Sequence, residues 1–463
     1  MAERDARGSP LWWVRRLERD LYARQAEMEL MDRYYRGDHP LPFVTKAHNA
    51  KMRDEFRGLL EDSRSNFMRL VVEAVGERLR VDGFRLSAED PQSDRRAWDI
   101  WQANQLDAES ETAFIEALIK RVSYLSVWAG DEHPTIAVED AMQTIVGYEA
   151  GSNYRRRAAA LKVWLDEWTG ERRANLYLRA GIYKFKGAVS ESDTPVHPPG
   201  VQPKWEQLDG GFVANPLDVV PIVPLRNRPR LLCEGESEII DVAPTQDRIN
   251  GELFMRALAG YFGAHRQRWA VGLTLHENTQ TGKPEEPFDI AVDRLIYSED
   301  ENVKFGEFGQ TDLTGYIKAI EQDVLHIAVT TRTPRHYLIE QGQSPSGDAI
   351  RSAEAGLVKK AQRKARAFGE GLEEAIRLAR RFAGEDDAPV DSEIVWADAE
   401  TQVVGVWTDA VVKQFQAGLI PWEAALEKLG YTQTQIRRYA AQRQSDALLQ
   451  AVLNPEVGEE PEG

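Results

Sequence analysis

One cysteine, Cys233, stands among 463 residues, so no disulfide can form within the chain, and this usage fits a reducing compartment. The lone thiol reads as a small buried hydrophobe. Long apolar runs are missing too: nothing approaches the roughly 18 uninterrupted apolar residues of a membrane-spanning helix. The opening MAERDARGSP is charged where a secretory leader would be apolar, so neither leader nor membrane segment is expected. The third shortage is of positive charge. Against 75 Asp and Glu stand 58 Lys and Arg, a formal charge of −17. Proteins that hold nucleic acid tightly carry a basic excess that neutralises phosphates. The balance leaves two readings: no DNA partner, or a DNA contact loose enough to slide.

Catalytic constellations are also scarce. Gly342 and Gly347 have the spacing of a phosphate loop, but Asp348 and Ala349 occupy the places where Lys and Ser/Thr would hold phosphate and magnesium. The eight histidines, among them His39 and His326, form no H-E-x-x-H and no Cys/His cluster; His276-Glu277 continues as Asn-Thr-Gln. No G-x-S-x-G elbow and no Asp-rich calcium loop occurs. Adjacent acids such as Glu139/Asp140 and Glu285/Glu286 read as solvated turn charges. No catalytic residue, metal or cofactor is therefore expected.

What is present is globular: 42% hydrophobic and 29% charged residues, in a chain longer than one core organises, so two or more regions are expected. The first third is helical by period. Arg15 to Arg36 ends at Gly37-Asp38; Met68, Val71, Val72, Val75 and Leu79 form an amphipathic stripe; Trp98/Trp101 and Phe114/Leu118 mark two more helices. From about Val122, SYLSVWAG, PTIAVED, ALKVWLDEW, ANLYLRAGIYKFKG and FVANPLDVVPIVPL read as short strands between turns. Ser190 to Pro203 is a loop by composition. Helical period returns from Pro244 to Trp269 and again from Leu313 to Thr331, with a Pro/Gly-broken module from Val271 to Asp312 between them. The polar QGQSPSGD leads into a long helix, Ala349 to Phe382, where Gly369 and Gly371 are expected to produce a bend. SEIVWAD is strand-like, three short helical stretches follow, and NPEVGEEPEG has nothing apolar to pack.

The long helix carries a basic run, Lys359, Lys360, Arg363, Lys364 and Arg366. Helical spacing places these side chains near one another. One reading is a solvated face balanced by Glu354, Glu370, Glu373 and Glu374 or by acids of a neighbouring copy; the other is a nucleic-acid contact.

The words DLTGYIKAI, TRTPRHYL and PSGDAIRSAEAGLV, within Lys304 to Ala383, resemble the portal proteins of long-tailed double-stranded-DNA bacteriophages, especially those of actinobacteria. YYRGDHPLPF and NFMRLVVEAVGERLRVDGFR resemble the N-terminal part of the same family. The resemblance implies an α+β, mainly helical subunit of wing, stem, clip and crown, assembled as a cyclic ring, usually dodecameric, at one capsid vertex. In this sequence it implies a wing over 1–243, stem helices over 244–270 and 313–333, and a clip over 271–312. A tunnel loop, bent helix and wing strand would occupy 334–400, a crown 401–453 and a disordered tail 454–463. Gln341, Gly342, Gln343, Ser344, Pro345, Ser346, Gly347 and Asp348 would form the tunnel loop, with Lys318, Arg332 and Arg335 as sparse channel cations. The implied partners are other copies of the chain, duplex DNA passing without sequence readout, the terminase, the head-completion adaptor, and the major capsid and scaffolding proteins. The expected location is the virion, with assembly in the host cytoplasm. On this reading the acidic balance keeps DNA contacts short-lived. The competing expectation is another virion or scaffold protein that binds partners without conducting DNA.

Overall fold

The computed structural model describes residues 6–42, 54–86, 94–187, 204–264, 268–271, 303–307, 312–339, 347–385, 392–400, 404–431 and, within 435–445, all but 437 and 444. Of these residues, 51% are helical and 21% extended, which makes the protein α+β and mainly helical, as expected. The loop at 190–203, the tail from 454 and most of the module at 271–312 lie outside the described residues. Contacts divide the chain into two compact units, residues 1–343 with 355–399 and residues 344–354 with 400–463.

In the larger unit, helix α1 (Pro10–Arg36) begins five residues earlier than its apolar period suggests. Ser9 supplies the reason: its hydroxyl accepts from the Trp12 N–H at 3.3 Å, and Pro10 takes the first helical position, where no N–H is needed. Gly37, at φ 84°, ends the helix and returns its N–H to the Arg33 and Tyr34 carbonyls. Helices α2 (Asp54–Asp62), α3 (Met68–Gly76), α4 (Arg95–Ala103) and α5 (Leu106–Lys120) follow. Met68, Val71, Val72 and Val75 of α3 are wholly buried, as their spacing predicts, but α3 stops before Leu79.

The strand-rich half resolves into two sheets. Strand β1 (Val81–Arg85) precedes it and pairs elsewhere. Strand β2 (Val122–Trp128) lies between β3 (Thr135–Glu139) and β9 (Ile222–Arg226), antiparallel to both. Strands β4 (Thr144–Tyr148), β5 (Arg157–Leu165), β6 (Arg172–Leu178), β7 (Gly181–Gly187) and β8 (Trp205–Ala214) form an antiparallel meander in chain order. Val14, Leu17 and Leu21 of α1 bury themselves with Ile145, Leu161, Leu176 and Phe185 of the meander. Buried Arg24 fastens the same helix to β2 and β4. It donates to the Tyr124 hydroxyl and Glu234 at 3.1 Å each and to the Thr144 carbonyl at 2.5 Å.

Two further helices, α6 (Ala243–Ala264) and α7 (Thr314–Thr331), pack on each other. At 1.5 Å per residue they are about 33 and 27 Å long. Helix α6 ends earlier than expected: Trp269 lies in strand β10 (Arg268–Val271), which pairs antiparallel with β11 (Lys304–Glu307). A short helix, α8 (Arg335–Leu338), follows α7, and then the long α9 (Gly347–Phe382). Helix α9 is unbroken α-helix over 36 residues, through both glycines that were expected to bend it. Packing requires the second of them. A Cβ on Gly371 would meet Leu225 Cδ2 at 2.6 Å and the Pro224 carbonyl at 3.1 Å, so the helix approaches β9 more closely than alanine allows. From α9, Leu357, Ala365, Phe368, Leu372, Ile376 and Ala379 enter the main core with α3, α4 and α5, where Phe368 stacks on Phe114 at 5.3 Å. Strand β12 (Glu393–Trp396) closes the unit by pairing with β1.

The smaller unit contains α10 (Val404–Gln416) and α11 (Trp422–Lys428), with further helical turns between 435 and 445. Among the described residues of these two helices, Val411 and Ala425 are the buried apolar ones.

Candidate functional site

The segment that joins β9 to α6, residues 227–242, meets the C-terminal end of α7 and the middle of α9. Its shape is held by Asn227, which is wholly buried. The Asn227 N–H donates to the Arg121 carbonyl at 2.9 Å and its side-chain amide to the Glu236 carbonyl at 2.7 Å. Gly235 sits where a Cβ would lie 2.5 Å from the Arg121 carbonyl oxygen, so only glycine fits. The Glu238 N–H then donates to the Leu118 carbonyl at 2.9 Å, which fixes Glu238 beneath α9.

Glu238 is 5% exposed and meets two ammonium groups of α9. Lys360 Nζ lies 2.7 Å from one carboxylate oxygen, and Lys364 donates to the other and to Asn227 Oδ1. Lys360 also donates to the Thr331 carbonyl at 2.9 Å, satisfying a carbonyl that the end of α7 leaves without a helical partner. Burial would raise the Glu238 carboxyl, but Lys360 and Lys364 outweigh it and hold the group down at about 2. Burial pushes the Lys364 ammonium down to about 8 against the pull of Glu238. At neutral pH the cluster is therefore charged.

Above this cluster lies a cavity of about 240 Å³ whose walls include Arg228, Asp241, Arg332, Lys359 and Arg363. Arg228 pairs with Asp241 at 2.7 Å. Arg332 stands at φ 59° as the residue that ends α7. It is thus the one proposed channel cation that the structure brings to this cavity; Lys318 on α7 and Arg335 on α8 are exposed and do not line it. Residues 341–346 of the expected tunnel loop lie outside the described residues, and Gly347 and Asp348 form the first positions of α9.

The basic run is thus divided. Lys360 and Lys364 face inward, whereas Lys359, Arg363 and Arg366 are exposed. The balancing acid is Glu238, far away in sequence. Of the acids expected, Glu374 pairs with Arg157 at 2.5 Å, and Glu373 accepts the Ile394 N–H at 3.1 Å. A signal did exist: Lys364 lies seven residues from both Leu357 and Gly371, in register with the buried face, where a lysine demands an acid. Glu139 and Asp140 are held by lysines, Lys162 at 2.6 Å and Lys120 at 2.7 Å, not by each other. Cys233 is half-buried, with its thiol 3.2 Å from the Gly235 carbonyl.

A second polar cluster roots α6. Gln246 bonds to the Ser65 carbonyl at 2.8 Å and the Phe67 N–H at 2.9 Å, and Asn250 bonds to His39 at 3.1 Å. His39 is wholly buried and stacks on Tyr34 at 4.1 Å. Burial, with help from Arg64 and Arg33, pushes its imidazole down to about 4. Further along, Arg248 forks onto Asp323 at 3.1 and 2.8 Å and ties α6 to α7. Past these anchors burial fades. On α6 no described residue beyond Phe254 is buried, and on α7 none before Asp323. Both helices are thus rooted at one end, and the β10–β11 pair connects to the other.

Residues 16–447 match the family described as phage portal protein, SPP1 Gp6-like. The portal proteins of Mycobacterium phages L5 and D29 are each 32% identical over 392 residues, covering 79% of this chain and 76% of theirs. The chain belongs to the phage portal family, whose members are structural, non-enzymatic parts of the phage head at the capsid vertex, and the DNA-channel role follows from that membership.

Proposed function

We propose that the protein assembles as a closed ring, usually of twelve copies, through which duplex DNA is packaged and later ejected. In this reading α6 and α7 are the stem, residues 271–312 the clip, residues 1–243 with the segment around β12 the wing, and the smaller unit with α10 and α11 the crown. The observation that carries it is the one-ended rooting of α6 and α7. Asp323, Val324 and Ile327 anchor α7 in the body, while Ile317 is 44% exposed and Val329 71% exposed. Exposed apolar positions on long helices fit burial against a neighbouring copy, and head-to-tail contacts between identical copies close into rings.

Gln341 to Asp348 then line the channel, with Lys318, Arg332 and Arg335 as sparse cations beside it. The clip receives the terminase during packaging and the head-completion adaptor afterwards, and the body meets the major capsid and scaffolding proteins. Assembly takes place in the host cytoplasm. The net charge of −17 supports sliding over gripping.

Electron microscopy of the purified full-length chain tests the reading. Rings with a central hole wide enough for a duplex are expected. A stable monomer at high concentration refutes the ring, and plates or rings without an open hole favour a scaffold that does not conduct DNA.

A further inference from the structure

The cavity between the end of α7, the middle of α9 and the 227–242 segment holds more positive charge than the protein itself neutralises. Its walls carry six cations, Arg228, Arg332, Lys359, Lys360, Arg363 and Lys364, against two carboxylates, Glu238 and Asp241, and with Glu236 also paired to Arg228 at 3.3 Å a surplus of three positive charges is left. Both carboxylates are already engaged, Glu238 by Lys360 and Lys364, and Asp241 by Arg228. Among the described residues, Arg332, Lys359 and Arg363 have no ion-pair partner. Lys359 and Arg363 stand one helical turn apart, where like charges repel unless something between them compensates. Such a surplus in a chain of net charge −17 is a local feature with a local cause.

We propose that this cavity binds a phosphate group. Two guanidinium forks and an ammonium converge there, and this donor set matches the several terminal oxygens of a phosphate better than the two of a carboxylate. At about 240 Å³ the cavity admits a phosphate with its water but is small for a whole nucleotide. Its floor is preorganised, because the buried Glu238–Lys360–Lys364 cluster fixes α9 against the segment opposite. The phosphate comes from one of two sources, a free anion or the diester backbone of DNA. The first stands on the cavity alone. The second rests on the channel reading above, which puts the segment between α7 and α9 in contact with DNA.

The test is titration calorimetry of the full-length chain with inorganic phosphate at constant ionic strength, repeated with a short blunt-ended duplex. Lys359→Ala/Arg363→Ala removes exposed side chains and spares the buried cluster. Arg366→Ala, exposed on the same helix outside the cavity, is the control. Phosphate is expected to bind the wild type and the control alike, and the double variant about tenfold or more weakly, since each lost charged hydrogen bond is worth at least that factor. Displacement of phosphate by the duplex assigns the site to the DNA backbone; phosphate binding that the duplex leaves unchanged assigns it to a free anion. No binding by the wild type, or equal binding by the double variant, overturns the proposal. So does loss of rings in the double variant without any phosphate binding, which gives the cations to a neighbouring copy. Microscopy of the same samples reports separately on ring and channel, so failure of the phosphate site and failure of the channel reading are distinguishable.

Discussion

Replacing Glu238 by Gln should destabilise the larger unit by about 3–5 kcal/mol, the usual cost of stranding a buried charge by removing its partner. The structure indicates the lower part of that range. Lys360 keeps the Thr331 carbonyl and Lys364 keeps Asn227 Oδ1 as acceptors. Lys364, already pushed down to about 8, can also give up its proton. Urea unfolding followed by tryptophan fluorescence at neutral pH would read this as a lower midpoint at unchanged slope. The pH dependence gives a second check. A carboxyl held at about 2 in place of 4.5 contributes about 3 kcal/mol that is fully present above pH 4.5 and is lost as pH falls towards 2. Wild type and E238Q should therefore converge in acid. For Lys364 the sign is opposite. Its lowered value means that the charge costs the folded state stability below pH 8, and this cost is relieved as pH rises from 8 to 10.5. E238Q should accordingly recover part of its deficit in alkali, and E238L/K364M should recover much of it at neutral pH. A midpoint for E238Q within experimental error of the wild type would refute the idea that this cluster holds α9 to the 227–242 segment.

His39→Phe keeps the ring stacked on Tyr34 but removes the titrating group. The wild type should lose about 3 kcal/mol as pH falls from 6.5 to 4, because unfolded His39 takes up a proton that the folded imidazole refuses; the variant should lack that part of the slope in pH-dependent unfolding. Gly371→Ala should lower the melting temperature, since a Cβ against Leu225 and Pro224 overpacks by about 1–3 kcal/mol. Gly356→Ala, on the same helix with only ordinary contact to Arg332 Cβ at 3.7 Å, should raise stability by up to about 1 kcal/mol. Val329→Asp, at a 71% exposed position, should abolish rings in electron micrographs and leave the unfolding of the isolated chain unchanged.

Much of this architecture was legible because its causes are local. The stripe from Met68 to Val75 marked α3, and the alternation after Val122 marked the strands. The two helices on either side of 271–312 were visible from their apolar period. Distant partners decided the rest. Trp269 continues the helical period of Leu253, Ala257 and Tyr261, yet pairing with Lys304–Glu307 draws Arg268–Val271 into a strand. Gly369 and Gly371 suggested a bend by propensity, and only the fold shows that Gly371 also meets a neighbour on β9. The basic run suggested either a solvated face or a nucleic-acid surface. Its inner half answers to Glu238, more than a hundred residues earlier, and no local spacing could have named that acid.

The β10–β11 pair has a consequence for how such a chain can change. Four residues on each side hold the entrance and exit of the 272–303 segment at one ladder spacing, about 4.8 Å. Whatever lies between can lengthen or be exchanged at little thermodynamic penalty, since doubling a loop costs only about 0.6 kcal/mol of closure entropy. The body need not adjust, because α6 and α7 take their orientation from anchors at the far end, His39, Gln246, Asn250 and the Arg248–Asp323 fork. The segment between the strands is therefore a natural graft point. A different insert can replace it between Val271 and Lys304 while the rest of the subunit keeps its fold.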